Sequence, residues 1–377
     1  MRLLAVSLLL FQATVCSAWE FEIKQLKDSI DQLVKDGIVA GQMSGAVVLI
    51  ANHKETVFQQ SYGNRLVSAH SEKMSLDTVF DLASITKPVA TATAVMHLVQ
   101  KGKIDVNEKV STYLPEFTGN GKESILVSEL LLHTGGLIPD NSLKDYEDGP
   151  EIAWQKICNL DMTAARGERF MYTDVGFIVL AKVVERLSGK DLNQFTRENI
   201  FKPLGMRDTG FLPSKELRGR AAATEKRGGQ WMRGEVHDPR AFRLGGIAGH
   251  AGLFSTAADL AIFGQVMLHR GAKFSHVINQ ETFALMTTPR MTPRGTRTYG
   301  WDHQSPYSRN RGSNLSDEAF GHGGFTGTVL WIDPTKDLVF IFLSSRLHPD
   351  GEGSINSIAG EIATLIGKVE PSSVEVK

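Results

Sequence analysis

Segments with strand character sit at both ends of this chain, and segments with helix character fill its middle. Gly45 to Ile50 and Thr56 to Tyr62 are rich in Val, Ile and aromatic residues and flank Asn52-His53-Lys54, the pattern of a hairpin. Thr326 to Ile332 and Leu338 to Leu343 repeat that pattern around the turn Asp333-Pro334-Thr335-Lys336. Between them, apolar residues recur at helical spacing. One helix is led by Ser84 and ends near Lys101-Gly102-Lys103; another runs from about Val175 to Leu187 and is closed by Gly189. Further helices are expected over Leu192 to Ile200, near Ala257 to Leu268, and over Ile355 to Ile366. The same spacing marks Phe21 to Lys35, with Gly37 as the expected stop. Residues 104–172 read as loop-rich with short helices, and Phe211 to Phe254 as Gly- and Arg-rich and poorly periodic. The economical fold is therefore α+β: one antiparallel sheet formed from both chain ends and flanked by helices, with an inserted, mainly helical lobe. A single domain over residues 19–377 is expected, its α/β part covering about 19–82 and 290–377 and its lobe about 83–289.

A chain of 377 residues is long enough to bury a sizeable core. Its formal net charge is -1 and its basic residues are scattered, so nucleic acid and anionic membrane surfaces are not expected partners. Residues 1–18 read as a cleavable leader, with Arg2 before the apolar run Leu3 to Phe11 and small residues at Cys16-Ser17-Ala18. The run is short for a membrane span, and no other long apolar segment exists, so a secreted or periplasmic protein without a stable membrane span is expected. A membrane anchor, a buried first helix or a lipid on Cys16 are the alternatives, and Val15 disfavours the last. Removal of the leader leaves Cys158 alone, which rules out an internal disulfide.

The candidate chemistry begins at Ser84-Ile85-Thr86-Lys87, the single Ser-x-x-Lys of the chain. A three-residue step in a helical turn puts both side chains on one face. Serine is a weak nucleophile until a neighbouring base takes its proton, and a lysine can be that base only when neutral, a state that apolar burial favours. The helix N-terminus would also favour an oxyanion. Three further segments carry polar groups: Tyr172-Thr173-Asp174 before the Val175 helix, His322-Gly323-Gly324 near the late strand, and the glycine-rich run from Leu244 to Ser255. Each has a plainer reading: Tyr172 as a core tyrosine, Asp174 as a helix cap, His322 as a turn histidine, the glycines as positive-φ turns. His133, His237, His250 and His322, with Asp238, are the alternative as metal ligands, but no His-x-x-x-His pair is present, so no metal and no cofactor is expected.

The order Ser-x-x-Lys, Tyr-x-Asp and a late His-Gly-Gly resembles the serine β-lactamase/penicillin-binding protein superfamily. The nearer likeness is to its class C-like branch of β-lactamases, D-Ala-D-Ala carboxypeptidases and esterases. Leu132-His133-Thr134-Gly135-Gly136-Leu137, Pro203-Leu204-Gly205-Met206, Gly252-Leu253-Phe254-Ser255-Thr256 with Asp259-Leu260, and Gly321-His322 with Gly324-Phe325-Thr326-Gly327 carry it too, from about Ile38 to Leu365. Val236-His237-Asp238 and Gly249-His250-Ala251-Gly252 resemble a bacterial subgroup containing weak D-alanyl-D-alanine carboxypeptidases.

The resemblance implies an acyl-enzyme on Ser84, with Lys87 and Tyr172 moving the proton and the choice of base left open. It implies an oxyanion held between the backbone N–H groups of Ser84 and Phe325. Asp174, His322, Gly323 and Gly324 would face the substrate, a small peptide, amide or ester. His322 stands where the family often has lysine and is expected to titrate near neutrality. Asp174 replaces a frequent Asn, which exchanges an amide donor for an acceptor that weakens the grip on a substrate amide or pairs with Lys87 and keeps it charged. Gly323 replaces a threonine whose hydroxyl helps bind a substrate carboxylate. Both changes argue against efficient β-lactamase action. The expected function is an exported serine hydrolase, foremost a D-alanyl-D-alanine carboxypeptidase. An esterase or weak β-lactamase, or an inactive peptide- or peptidoglycan-binding homologue, are the alternatives.

Overall fold

The computed structural model describes residues 18–370, so the expected leader lies outside the described residues except for Ala18. The two hairpins meet in one antiparallel sheet. Its strands lie in the spatial order Glu72–Lys73, Thr56–Leu66, Gly45–Ala51, Leu338–Ser344, Thr328–Asp333, Phe320–Gly324, Asp302–Gln304, Gly295–Arg297, Arg290–Thr292. The two chain ends join where Ala46 pairs with Ser344 and Ala51 with Val339.

The central strands are buried on both faces. Val47, Leu49, Val339, Ile341 and Leu343 enter the core shared with the helices from 93 to 286. Their neighbours Ala46, Val48, Ile50, Phe340 and Phe342 pack against the helices at both termini. A strand alternates its side chains between faces, so only continuous apolar sequence satisfies two buried faces. The helix Ala257–Leu268 lies on this sheet so closely that a Cβ on Gly264 would stand 2.5 Å from Val339 Cγ1.

Three sequence expectations need correction. Gly37 does not stop the first helix. Two helices, Ala18–Gln25 and Lys27–Val39, occupy that stretch, and Gly37 is buried where a side chain would collide with Ile358 of the helix Asn356–Ile366. The sheet extends three short strands further than the apolar pattern indicated, through residues 290–304. The aperiodic segment 211–254 is ordered: Gly210–Phe211 pairs with Leu253–Ser255, and Ala223–Arg227 with Gln230–Arg233. Leu253–Ser255 also pairs with Phe80–Asp81, the short strand that leads to Ser84.

The helix after Ser84 is irregular. It begins as a 3₁₀ turn over Ala83–Ile85, widens to a π-helical stretch over Lys87–Ala92, and becomes α-helical over Thr93–Gln100. Pro88 has no N–H to donate to the regular ladder, and such widened turns recur at functional positions.

Candidate active site

The Ser84 turn is held from several sides. Ala83 adopts φ +45°, a left-handed conformation that costs about 1–2 kcal/mol in a non-glycine residue. Asp81 compensates by accepting the Ala83 N–H at 2.9 Å and the His237 N–H at 2.7 Å. Burial pushes the Asp81 carboxyl pKa up while these two donors pull the other way. The hydroxyls of Thr326 and Thr328 donate to the carbonyls of Asp81 (2.6 Å) and Leu82 (3.1 Å). Gly324 is needed for this approach, because a Cβ there would collide with Leu82 O.

Lys87 is wholly buried. Its Nζ lies 3.1 Å from Ser84 Oγ, donates to the His250 carbonyl at 3.1 Å, and forms an ion pair with Asp174 Oδ1 at 2.6 Å. Burial opposes the charge on Lys87, but Asp174 and Tyr172 outweigh it, so its pKa is raised. Burial likewise opposes the Asp174 carboxylate, and Lys87 overcomes it, so Asp174 is held below its usual value. The neutral resting lysine that serine activation called for is therefore absent: Lys87 and Asp174 form a buried ion pair. Nor does Asp174 cap its helix. Thr173 does so, its hydroxyl accepting the Gly176 N–H at 3.3 Å.

The Tyr172 hydroxyl is buried and faces Lys87 and Ser84; burial raises its pKa, and the Lys87 ammonium pulls it back. The Tyr172 ring lies 4.8 Å from Lys87 Nζ and stacks on the imidazole of His133 at 4.4 Å. His133 Nδ1 accepts the Thr173 N–H at 3.1 Å, which fixes the chain that carries Tyr172. Burial, with Arg297 and Lys87 nearby, keeps His133 neutral.

Ser84, Tyr172, His322, Gly323, Gly324 and Phe325 line one cleft of about 420 Å³. Lys87 lies beneath it and Asp174 beyond Lys87, so the residues expected to act on or face the substrate come together in one place. His322 departs from expectation. Burial, Arg297 and Lys87 hold its pKa well below 6.5, so it is a neutral imidazole and not a titrating cation.

Two residues escaped the sequence reading. Arg297 is fully buried at the cleft, with Nη1 on Asp302 Oδ1 at 3.1 Å and with Nε and Nη2 unpartnered among the described residues. Asn310 fills the space left by Gly323, where a Cβ would lie 2.7 Å from Asn310 Nδ2. Trp331 Nε1 donates to Asn310 Oδ1 at 2.9 Å, which leaves the amide nitrogen directed to Asn356 and the cleft. Only the unusual Gly323 could have hinted at Asn310.

The glycine-rich run brings its backbone to Lys87. Gly245, Gly246 and Gly252 have positive φ, whereas Gly249 is required because a side chain would strike Phe177 O. Of the candidate metal ligands, His237 bonds Glu225, and His250 Nε2 lies 2.9 Å from Asp238 Oδ1. Donor atoms of Asp174, Asp238 and His250 come within 4.8 Å of one another. The Lys87 ammonium already supplies a positive charge to Asp174 there.

The family model described as Beta-lactamase matches residues 30–363. The chain belongs to the Beta-lactamase family. A Bacillus subtilis (strain 168) relative named N-acetylmuramyl-L-alanine amidase is 34% identical, over 91% of this chain and 86% of its own length. An Escherichia coli (strain K12) relative that carries the name D-alanyl-D-alanine carboxypeptidase is 29% identical, over 87% of this chain and 84% of its own. Among solved structures, the octameric penicillin-binding protein homologue from Pyrococcus abyssi superposes with a TM-score of 0.73 at 23% identity. That match covers 92% of this chain and 78% of the other. As a member of the Beta-lactamase family the protein is a serine hydrolase. No helix among the described residues is long and apolar enough to cross a membrane.

Proposed function

We propose that this Beta-lactamase family member is an exported, single-domain hydrolase that forms an acyl-enzyme on Ser84 and cleaves small acyl peptides as a D-alanyl-D-alanine carboxypeptidase. The observation that carries the reading is Lys87 Nζ at 3.1 Å from Ser84 Oγ, with the Tyr172 hydroxyl beside both. Lys87 and the Tyr172 hydroxyl lie side by side, both buried, next to Ser84. Both are protonated at rest, so the reactive form is the one in which the pair has lost one proton. Ser84 Oγ then gives its proton to the pair and bonds to the carbonyl carbon. The carbonyl oxygen gathers negative charge between the backbone N–H groups of Ser84 and Phe325. Collapse breaks the bond to the leaving amine, which takes the proton back. Water, activated on the Tyr172 side, hydrolyses the ester and restores Ser84.

The unpartnered Nε and Nη2 of Arg297 match a substrate carboxylate, which Arg recognises through paired donors. Neutral His322 and the Asn310 amide line the same cleft and are placed to add hydrogen bonds to the substrate. Export is supported by the leader-like residues 1–18 and by bacterial relatives named for cell-wall substrates. The test is release of D-alanine from an acyl-D-Ala-D-Ala peptide, lost in Ser84→Ala. Release of an amide-linked group elsewhere in a muropeptide, with D-alanine retained, moves the assignment to an amidase, a second reading favoured by the 34% identical relative of that name. Turnover confined to simple esters moves it to an esterase.

A further inference from the structure

A second cleft of about 750 Å³ opens beside the first and shares Tyr172, Tyr307 and Asn356 with it. Its charged lining is Glu168, Arg169, Arg294 and Arg309. Glu168 and Arg169 pair with each other at 3.2 Å. Arg294 and Arg309 are exposed and make no ion pair or side-chain hydrogen bond among the described residues. The cleft thus carries two uncompensated positive charges on a protein whose net charge is -1. The charge is local, which separates this cleft from a general polyanion surface.

The arginines are tied to the chemistry by their positions. Arg294 sits in the turn between the strands Arg290–Thr292 and Gly295–Arg297, and the second strand ends on the buried Arg297. Arg309 lies in the 3₁₀ turn Ser308–Asn310, next to the Asn310 that enters the nucleophile cleft. Between the two clefts stands Tyr307, 54% exposed, its ring 5.0 Å from that of Tyr172. A peptide lying across Tyr307 would keep its scissile carbonyl at Ser84 and place its distal part between the arginines.

We infer that this cleft is an extended subsite for the distal part of the substrate, and that this part is a peptide segment bearing one or more carboxylates. The inference rests on Ser84 as the nucleophile only for where the scissile bond lies.

The experiment is equilibrium titration of the Ser84→Ala protein with succinyl-Ala-Ala amide and with acetyl-Ala-Ala amide, at low and high salt. Binding to this variant needs no turnover. The succinyl peptide is expected to bind about tenfold tighter at low salt, the product of two exposed charge pairs, and high salt should erase the difference. Adding Arg294→Gln and Arg309→Gln should bring the ratio to about one. Equal binding of the two probes, binding of neither, or a preference that survives the double substitution overturns the inference. Hydrolysis of neutral p-nitrophenyl acetate by the Ser84-containing protein tests the catalytic reading separately. Its absence beside a retained succinyl preference defeats the nucleophile assignment and leaves the subsite; its presence beside equal probe binding does the reverse.

Discussion

The Lys87 ammonium and the Asp174 carboxylate form a buried ion pair 2.6 Å long, directly behind the Ser84 hydroxyl. A carboxylate at this position raises the pKa of the group placed to accept the serine proton. Below that raised value Lys87 keeps its proton and cannot accept another, so kcat/KM is expected to climb with pH through the alkaline range. Asp174→Asn removes the charge that offsets burial, and burial alone lowers a lysine pKa. The alkaline limb should therefore move to lower pH in the variant. A pH profile of ester hydrolysis for both proteins checks this; an unmoved limb contradicts it.

Neutral His322 has its own signature. Its pKa is held well below 6.5, so it gains a proton only in acid, and turnover should show no inflection from it near neutrality. NMR titration of the imidazole resonances should find this ring unmoved through pH 6.5, and His322→Gln should leave the profile shape intact. A shift of that resonance centred on 6.5 refutes the assignment.

Much of this was legible before the fold was known. The run from Gly45 to Ile50 reads as a strand because burial on both faces leaves no place for polar residues, and the structure extends it by one residue to Ala51. The catalytic segments are legible because each sits at the start or end of a regular element. The strands of residues 290–304 are short segments at one end of the sheet, rich in Arg, Thr and Gly, with no apolar alternation to betray them. The charge state of His322 depends first on its burial and then on Arg297, which the sequence does not distinguish from a surface arginine. The resting state of Lys87 likewise turned on whether Asp174 faced it, which residue types alone leave open.

Gly323 and Asn310 should behave as one unit. Gly323→Thr forces its Cβ against Asn310 Nδ2, 2.7 Å away, and is expected to raise KM by about tenfold through overpacking worth about 1–3 kcal/mol. Adding Asn310→Ala opens the space and should relieve the overpacking, so the double variant should lose less than the two single changes together. A double-mutant cycle on KM measures the coupling, and strict additivity would contradict the assignment.

Gly264 offers a test of the sheet packing. Replacing a mid-helix glycine with alanine ordinarily gains up to about 1 kcal/mol of helix propensity. Here the new methyl meets Val339 Cγ1 at 2.5 Å, so Gly264→Ala should lose about 1–2 kcal/mol instead. Urea denaturation reads the sign directly.

The most direct test of the central claim is the intact mass of the protein after incubation with a fluorescent penicillin, for wild type and for Ser84→Ala. Ser84 is a half-buried residue on a turn held by backbone and threonine hydrogen bonds, so the substitution should leave the fold standing. A single acyl adduct on wild type, absent from the folded variant, is the expected result. An adduct of equal stoichiometry on Ser84→Ala, or none on wild type that also fails to hydrolyse any ester or D-Ala-D-Ala peptide, would contradict it.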